Sequence, residues 1–466
     1  MEFKDLFITP LFLAMFYAIA FAVRRRASNV FTKKYFIPAL TLKFFGAISL
    51  GIIYQFYYGG GDTFNYFDQA KPIHQAFFDS PIIGLKMLAY NGTGIPDSST
   101  LRYGSQIEWF RAPEEYFIVR LCALFGLFCG HTYSTIALMF AFVSFSGMWA
   151  LYGTFTRLYP ALYKEFAVSV FYIPSVFFWG SGVTKDAICL GALGWLFYAF
   201  YNLLVARRTV LRAAIAMIAA GIIIKSIKIY IIISFIPPVM LWVTTQYSSR
   251  IKSDLLRAIA LPLMIVLGVG IGLALSQSVA AGSKNYDFSK IEGRAKVASQ
   301  YHNSISHSSE EKGRGTGNSG YSMDDFTGPQ DIPRLAPKAI VIGLFRPFLW
   351  EARNPVMFLS ALEIFWITFL TIRIFFRVGF MATLREISST PLVLFGFVFS
   401  LIFAVATALT SGNFGNLVRY RIPMWPFYVT ALFVLESTTR SKIKGKQDVA
   451  KTRKPLDATQ LRPAYS

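Results

Sequence analysis

A single aspartate framed by glycines, Asp62 in YYGGGDTFNYF (57–67), stands where a long apolar run gives way to polar sequence. The glycines let the chain turn tightly and leave the carboxylate uncrowded, as a general base requires. Cations recur at the edges of other apolar runs. They are Lys185 in SGVTKDAI, Lys225 and Lys228 in IIIKSIKIYIII, Arg346 in LFRPFLWEARNP, and Arg419 and Arg421 in NLVRYRIPMWP. Arginine grips phosphate oxygens with a planar fork, and lysine holds them as a point charge. One acid among such cations suits chemistry on a phosphate- or pyrophosphate-bearing substrate. The cations would neutralise charge growing on the leaving phosphate while the carboxylate takes a proton from the attacking hydroxyl.

Each residue also has a plain structural role open to it. Gly-Asp-Thr before a helix is good N-cap chemistry, available to Asp62 or Thr63. Lys185 can pair with Asp186, and Lys225 and Lys228 can reach lipid headgroups by snorkelling. Lys43 reads as a snorkelling lysine near the cytoplasmic end of its span. Arg419 and Arg421 alternate in a turning segment and need not share a face. His74 reads as packing, and the aromatics of YQFYY as interfacial anchors.

The elements that must position these groups follow from composition. The chain has 466 residues, of which 54% are hydrophobic and 15% charged, against about 25% charged in soluble proteins. Mean hydropathy is +0.47. Apolar runs of about 20 residues recur throughout, which gives an all-α polytopic membrane protein. About eleven spans are expected, near 6–23, 36–57, 132–155, 165–182, 187–206, 210–225, 229–246, 255–276, 355–376, 391–410 and 421–437. The first run ends in Arg24-Arg25-Arg26 without a small-residue cleavage site, so it reads as a retained span. Residues 116–131 are short for a span and contain Arg120, which suggests a re-entrant or interfacial helix. The membrane domain covers 1–437, with larger loops at 58–115 and 277–354. A basic tail at 438–466 is expected to be disordered.

Lysine and arginine in the short loops orient the chain. The loops holding Arg24, Arg25, Arg26, Lys33 and Lys34, then Arg157 and Lys164, then Arg207, Arg208 and Arg212, then Arg250 and Lys252, then Arg377 and Arg385, are all positive. That face is expected to be cytoplasmic, placing Asp62 and the six cations outside. The net charge of +21 therefore reports topology, and no nucleic-acid partner is expected. The stretch 64–78 carries Phe64, Phe67, His74, Phe77 and Phe78 at helical spacing, as a membrane-surface helix would. Cys122, Cys129 and Cys189 lack metal-type spacing, and the four histidines are scattered. No cofactor is indicated. A divalent metal on Asp62 stays open, with one carboxylate to hold it.

An acid in a large outer loop (GGGDTFNYF), a surface helix after it, a mobile outer loop in the C-terminal third and the basic SGVTKDAI turn resemble integral-membrane glycosyltransferases of the GT-C type and the related O-antigen polymerases. The resemblance implies a polyprenyl-(pyro)phosphate-linked sugar donor, a glycan acceptor, the surrounding membrane lipid and a bacterial inner membrane. It also implies Asp62 as base, with Lys185, Lys225, Lys228, Arg419 and Arg421 on the donor phosphate and Arg346 near the acceptor. The acidic loop follows the second span here, where the family places it after the first. A transporter of lipid-linked oligosaccharide and a non-catalytic assembly subunit are the alternatives. A transporter would carry its charges near the midplane, often in repeated halves, and no repeat is visible.

Overall fold

A computed structural model describes residues 2–248, 321, 331–411 and 413–452, and every element among them is helical. In chain order these are α1 (Asp5–Ala27), α2 (Lys33–Ile52), α3 (Asp62–Asp68), α4 (Lys71–Asp79), α5 (Pro81–Ala89), α6 (Leu101–Gly104), α7 (Pro113–Cys129), α8 (Tyr133–Leu158), α9 (Tyr163–Ala167) and α10 (Pro174–Trp179). They continue as α11 (Lys185–Phe200), α12 (Val210–Ile227), α13 (Tyr230–Ser248), α14 (Ile332–Phe345), α15 (Pro355–Val378), α16 (Phe380–Ser389), α17 (Pro391–Ser411), α18 (Phe414–Tyr420) and α19 (Trp425–Thr452). Among the described residues, 7 helices are long and apolar enough to cross a bilayer: Asp5–Ala27, Lys33–Tyr57, Tyr133–Leu158, Lys185–Val205, Val210–Ile227, Pro355–Val378 and Pro391–Ser411. The chain is an integral membrane protein of the all-α class.

Four expected spans are not among those seven. Tyr230–Gln246 is a shorter apolar helix. The stretch 165–182 is not one helix: α9, a π-turn at Val168–Tyr172 and α10 follow one another, with a break at Ile173. Pro174 causes the break, because it pushes the preceding residue out of helical geometry, and Ile173 has ψ 121°. The last span starts at Trp425, and its helix runs on to Thr452 where a disordered tail was expected from 438. No proline interrupts TTRSKIKGKQDVAKT, and its lysines, glutamine and alanine favour helix. The expected span at 255–276, most of the loop 277–354 and the tail beyond 452 lie outside the described residues.

The expected surface helix over 64–78 is two helices, α3 and α4, broken at Gln69 and Ala70, with Pro72 in the first turn of the second. Together with α7 they form a cap on one end of the bundle. Phe67 and His74 face inward, and Phe78 faces outward. His74 Nε2 donates to the Ala123 carbonyl (2.7 Å), and its ring meets His131, which itself stacks on Phe67 (4.1 Å). Both imidazoles serve packing, and burial pushes the His131 pKa down to about 3.

Beneath the cap, α8 and α11 approach backbone to backbone. A Cβ on Gly147 would collide with the Gly191 carbonyl, and one on Gly194 with the Gly147 carbonyl. Small residues allow such contact where no water drives association. The contact fixes the start of α11, which carries Lys185 and Asp186.

Lys43 does not snorkel. It is buried in α2 and donates to the Gly180 carbonyl (2.6 Å), to Ser144 Oγ (3.2 Å) and to the Val176 carbonyl (3.4 Å). These groups surround the C-terminal end of α10. At its other end, Glu363 of α15 accepts from the Ser175 amide and from Ser175 Oγ, both at 2.6 Å. The two ends of a broken helix within the bundle are thus satisfied by one lysine donor and one glutamate acceptor.

Candidate functional site

The site begins with the turn that presents Asp62. Gly59, Gly60 and Gly61 have φ of 69°, 131° and 129°, which side chains rarely tolerate. At Gly61 a Cβ would also strike the Tyr54 ring. Gly61 is the N-cap of α3 and supplies no side-chain cap, so neither Asp62 nor Thr63 is the N-cap. Asp62 is the first residue of the helix, where a carboxylate favours the dipole. Thr63 instead bonds the Tyr133 hydroxyl (2.7 Å), tying α3 to α8.

Three other elements converge on Asp62. Thr184 caps α11 by accepting from the Ala187 amide (3.1 Å), and Asp186 projects from that first turn. Lys228 lies just past the end of α12. Asn413 caps α18 by accepting from the Asn416 amide (2.8 Å), and Arg419 lies in the last turn of that helix.

Arg419 joins the pieces. Its Nη1 donates to Asp62 Oδ2 (2.9 Å) and its Nε to Asp186 Oδ2 (2.6 Å). The second oxygen of Asp186 takes the Lys228 ammonium. From the exposed end the contacts run Asp62, Arg419, Asp186, Lys228, with alternating charge. Side-chain exposures are 50%, 10%, 1% and 8%, so only Asp62 meets solvent substantially. Lys228 also lies over the Tyr420 ring (4.5 Å), and Arg419 over Trp179 (5.9 Å).

Burial opposes the charge on both cations, and the carboxylates overcome it. Asp186 holds the Lys228 pKa above its ordinary value. Asp186, with Asp62 adding to it, holds Arg419 well above its own. The two acids thus hold both Lys228 and Arg419 as cations. Asp62 Oδ1 and Arg419 Nη2 make no hydrogen bond to the described residues.

Three of the seven residues expected from sequence thus meet: Asp62, Lys228 and Arg419. The other four do not join them. Lys185 turns to α7, where Glu115 (2.5 Å) and Glu114 (3.7 Å) hold it, and it does not pair with Asp186. Lys225 is exposed on α12, one turn before Lys228. Arg346 is chelated by Glu351, with Nε 3.0 Å from Oε1, and lies over Phe414. Arg421 is buried and donates from Nη1 to the carbonyls of Arg346 (2.5 Å) and Gly343 (3.1 Å). It is a strut between the turn after α18 and the end of α14.

Sequence reasoning missed Asp186 as a site residue, weighing it only as one possible partner of Lys185. An ionisable group one residue inside an apolar run was the available signal. Two of the expected cations are instead compensated by acids, Lys185 by Glu114 and Glu115 of α7 and Arg346 by Glu351 of its own segment. Among the described residues, no group of three or more His, Cys, Asp or Glu side chains could hold a metal ion. Comparison of the chain with family models, curated proteins and solved structures finds no match.

Proposed function

We propose that the protein is a membrane glycosyltransferase or polysaccharide polymerase using a polyprenyl-(pyro)phosphate-linked sugar at the outer face of a bacterial inner membrane, with Asp62 as the general base. The observation that carries this reading is the half-exposed Asp62 carboxylate, aimed through one oxygen by a buried Arg419. Asp186 and Lys228 hold that arginine from behind, so the acid is oriented while its Oδ1 is left for an acceptor hydroxyl. A donor phosphate would take the unengaged Nη2 of Arg419 while Nη1 keeps the carboxylate aimed. Lys225, exposed one turn from Lys228, would meet the lipid phosphate from the membrane side. Arg346 and Arg421 shape the neighbouring wall and touch no phosphate in this scheme.

One observation favours a second reading, a non-catalytic assembly subunit: both cations of the cluster already have acidic partners, as a structural latch would. Reconstitution in lipid nanodiscs with a polyprenyl-phosphate sugar and a glycan acceptor separates the two. An enzyme loses about 10²–10⁴-fold of its turnover in Asp62→Asn, the range for removal of an acid–base group. Transfer that Asp62→Asn leaves intact, or no transfer by the native protein, supports the latch.

A further inference from the structure

Beside the glycine turn lies a cavity of about 270 Å³. It is lined by Gly59 and Gly60 before Asp62 and by Phe64 and Asp68 after it, so the segment that carries the catalytic candidate forms one of its walls. We propose that this cavity is the acceptor subsite and that it takes a neutral or amino-substituted saccharide unit; the proposal rests on the transferase reading and names its second substrate.

Three features of the lining argue for this ligand. One wall is aromatic: Phe64 stacks on Tyr133 with ring centroids 4.3 Å apart, and Phe67 meets the same tyrosine edge-on. Such a wall suits the C–H face of a sugar ring. The facing groups are hydrogen-bond acceptors, namely the carboxylates of Glu2, Asp5 and Asp68 with the Gln55 carboxamide. They are held in place: Asp5 accepts from the amides of Ser134 (2.8 Å) and Glu2 (2.6 Å), and Asp68 is braced by Lys71. Finally, among the described residues no cation lines the cavity; the nearby Lys4 and Lys71 are engaged by Glu2 and Asp68. An anionic head is disfavoured there, and hydroxyl or ammonium donors are favoured. At just under the usual range of about 300–1,000 Å³ for ligand pockets, the space fits one small polar unit and no lipid tail.

The test is calorimetry on the full chain in nanodiscs, with three probes at equal ionic strength: N-acetylchitotetraose, tetraglucosamine and tetragalacturonate. The first two are expected to bind at least about tenfold more tightly than the third, and Phe64→Leu to weaken both about tenfold. Asp68→Asn, a change at an exposed position that spares the fold, should weaken tetraglucosamine most and narrow its margin over the galacturonate. Equal binding of all three probes, no binding, or wild-type affinity in both variants overturns the assignment. A short-chain polyprenyl phosphate titrated in parallel keeps the two ideas apart. If it binds while the saccharides do not, the cavity assignment alone falls. If the saccharides bind as described and it does not, the donor reading falls and the saccharide site stands.

Discussion

Asp62 and Asp186 bind the same guanidinium but differ in what surrounds them, and that difference assigns their roles. Asp186 has no water to replace a lost partner, since its neighbours Arg419 and Lys228 are buried with it. Asp186→Asn leaves two buried cations with one acid between them, a change of the class that costs about 3–5 kcal/mol. Asp62 is half exposed, so its pair with Arg419 is screened and Asp62→Asn should cost about 1 kcal/mol or less. Thermal unfolding in one detergent should therefore rank native and Asp62→Asn together, with Asp186→Asn far below. If Asp62→Asn falls as far as Asp186→Asn, Asp62 is a structural member of the network and the base assignment loses its footing. The sequence made Asp62 conspicuous because glycines flank it. It could not reveal that Lys185 faces α7 while its neighbour Asp186 faces the core, because a helix turns adjacent side chains about 100° apart and only the packed partners decide which direction matters.

At the scale of an element, the six-residue α10 is too short to be stable alone. It persists because Lys43 and Glu363 come from two different spans to satisfy its ends. Lys43→Met removes the donor at its C-terminal carbonyls, and Glu363→Gln weakens the acceptor at its N-terminal turn. Each should destabilise the protein by about 1–3 kcal/mol, the cost of leaving buried polar groups unsatisfied. Because both groups hold one rigid piece, the double variant should fall short of the sum by at least about 0.5 kcal/mol. Strict additivity in a double-mutant cycle of thermal stability would show that the two ends are independent. In the sequence these charges stand 320 positions apart by their own numbering (363 − 43) with nothing to connect them. Pro174 could have been read as the break in the expected span at 165–182, because a proline restricts the residue before it whatever the tertiary context. The partners at the broken ends are set by the fold alone.

At the scale of the whole molecule, everything proposed for Asp62 depends on which side of the membrane it faces. One end of the bundle carries Arg24–Arg26, Lys33, Lys34, Arg207, Arg208 and Arg212. The other carries α3, α7, α18 and the charge network, where Lys185, Lys228, Arg346 and Arg419 are each paired with acids. The class of the fold and this polarity were legible because hydropathy and loop charge act through the solvent and need no tertiary detail. The number of spans was less so, since apolar runs at 165–182 and 229–246 also suit broken or short helices within a protein core. Sidedness is testable with the chain as it stands, because its three cysteines are buried and give little background. Ile95, 98% exposed in the loop after α5, and Arg208, exposed before α12, mark the two ends. In sealed right-side-out vesicles a membrane-impermeant maleimide should label Ile95→Cys at once and Arg208→Cys only after permeabilisation. The reverse pattern would put Asp62 in the cytosol. There soluble nucleotide sugars compete as donors, and the outward-facing reading of the site falls.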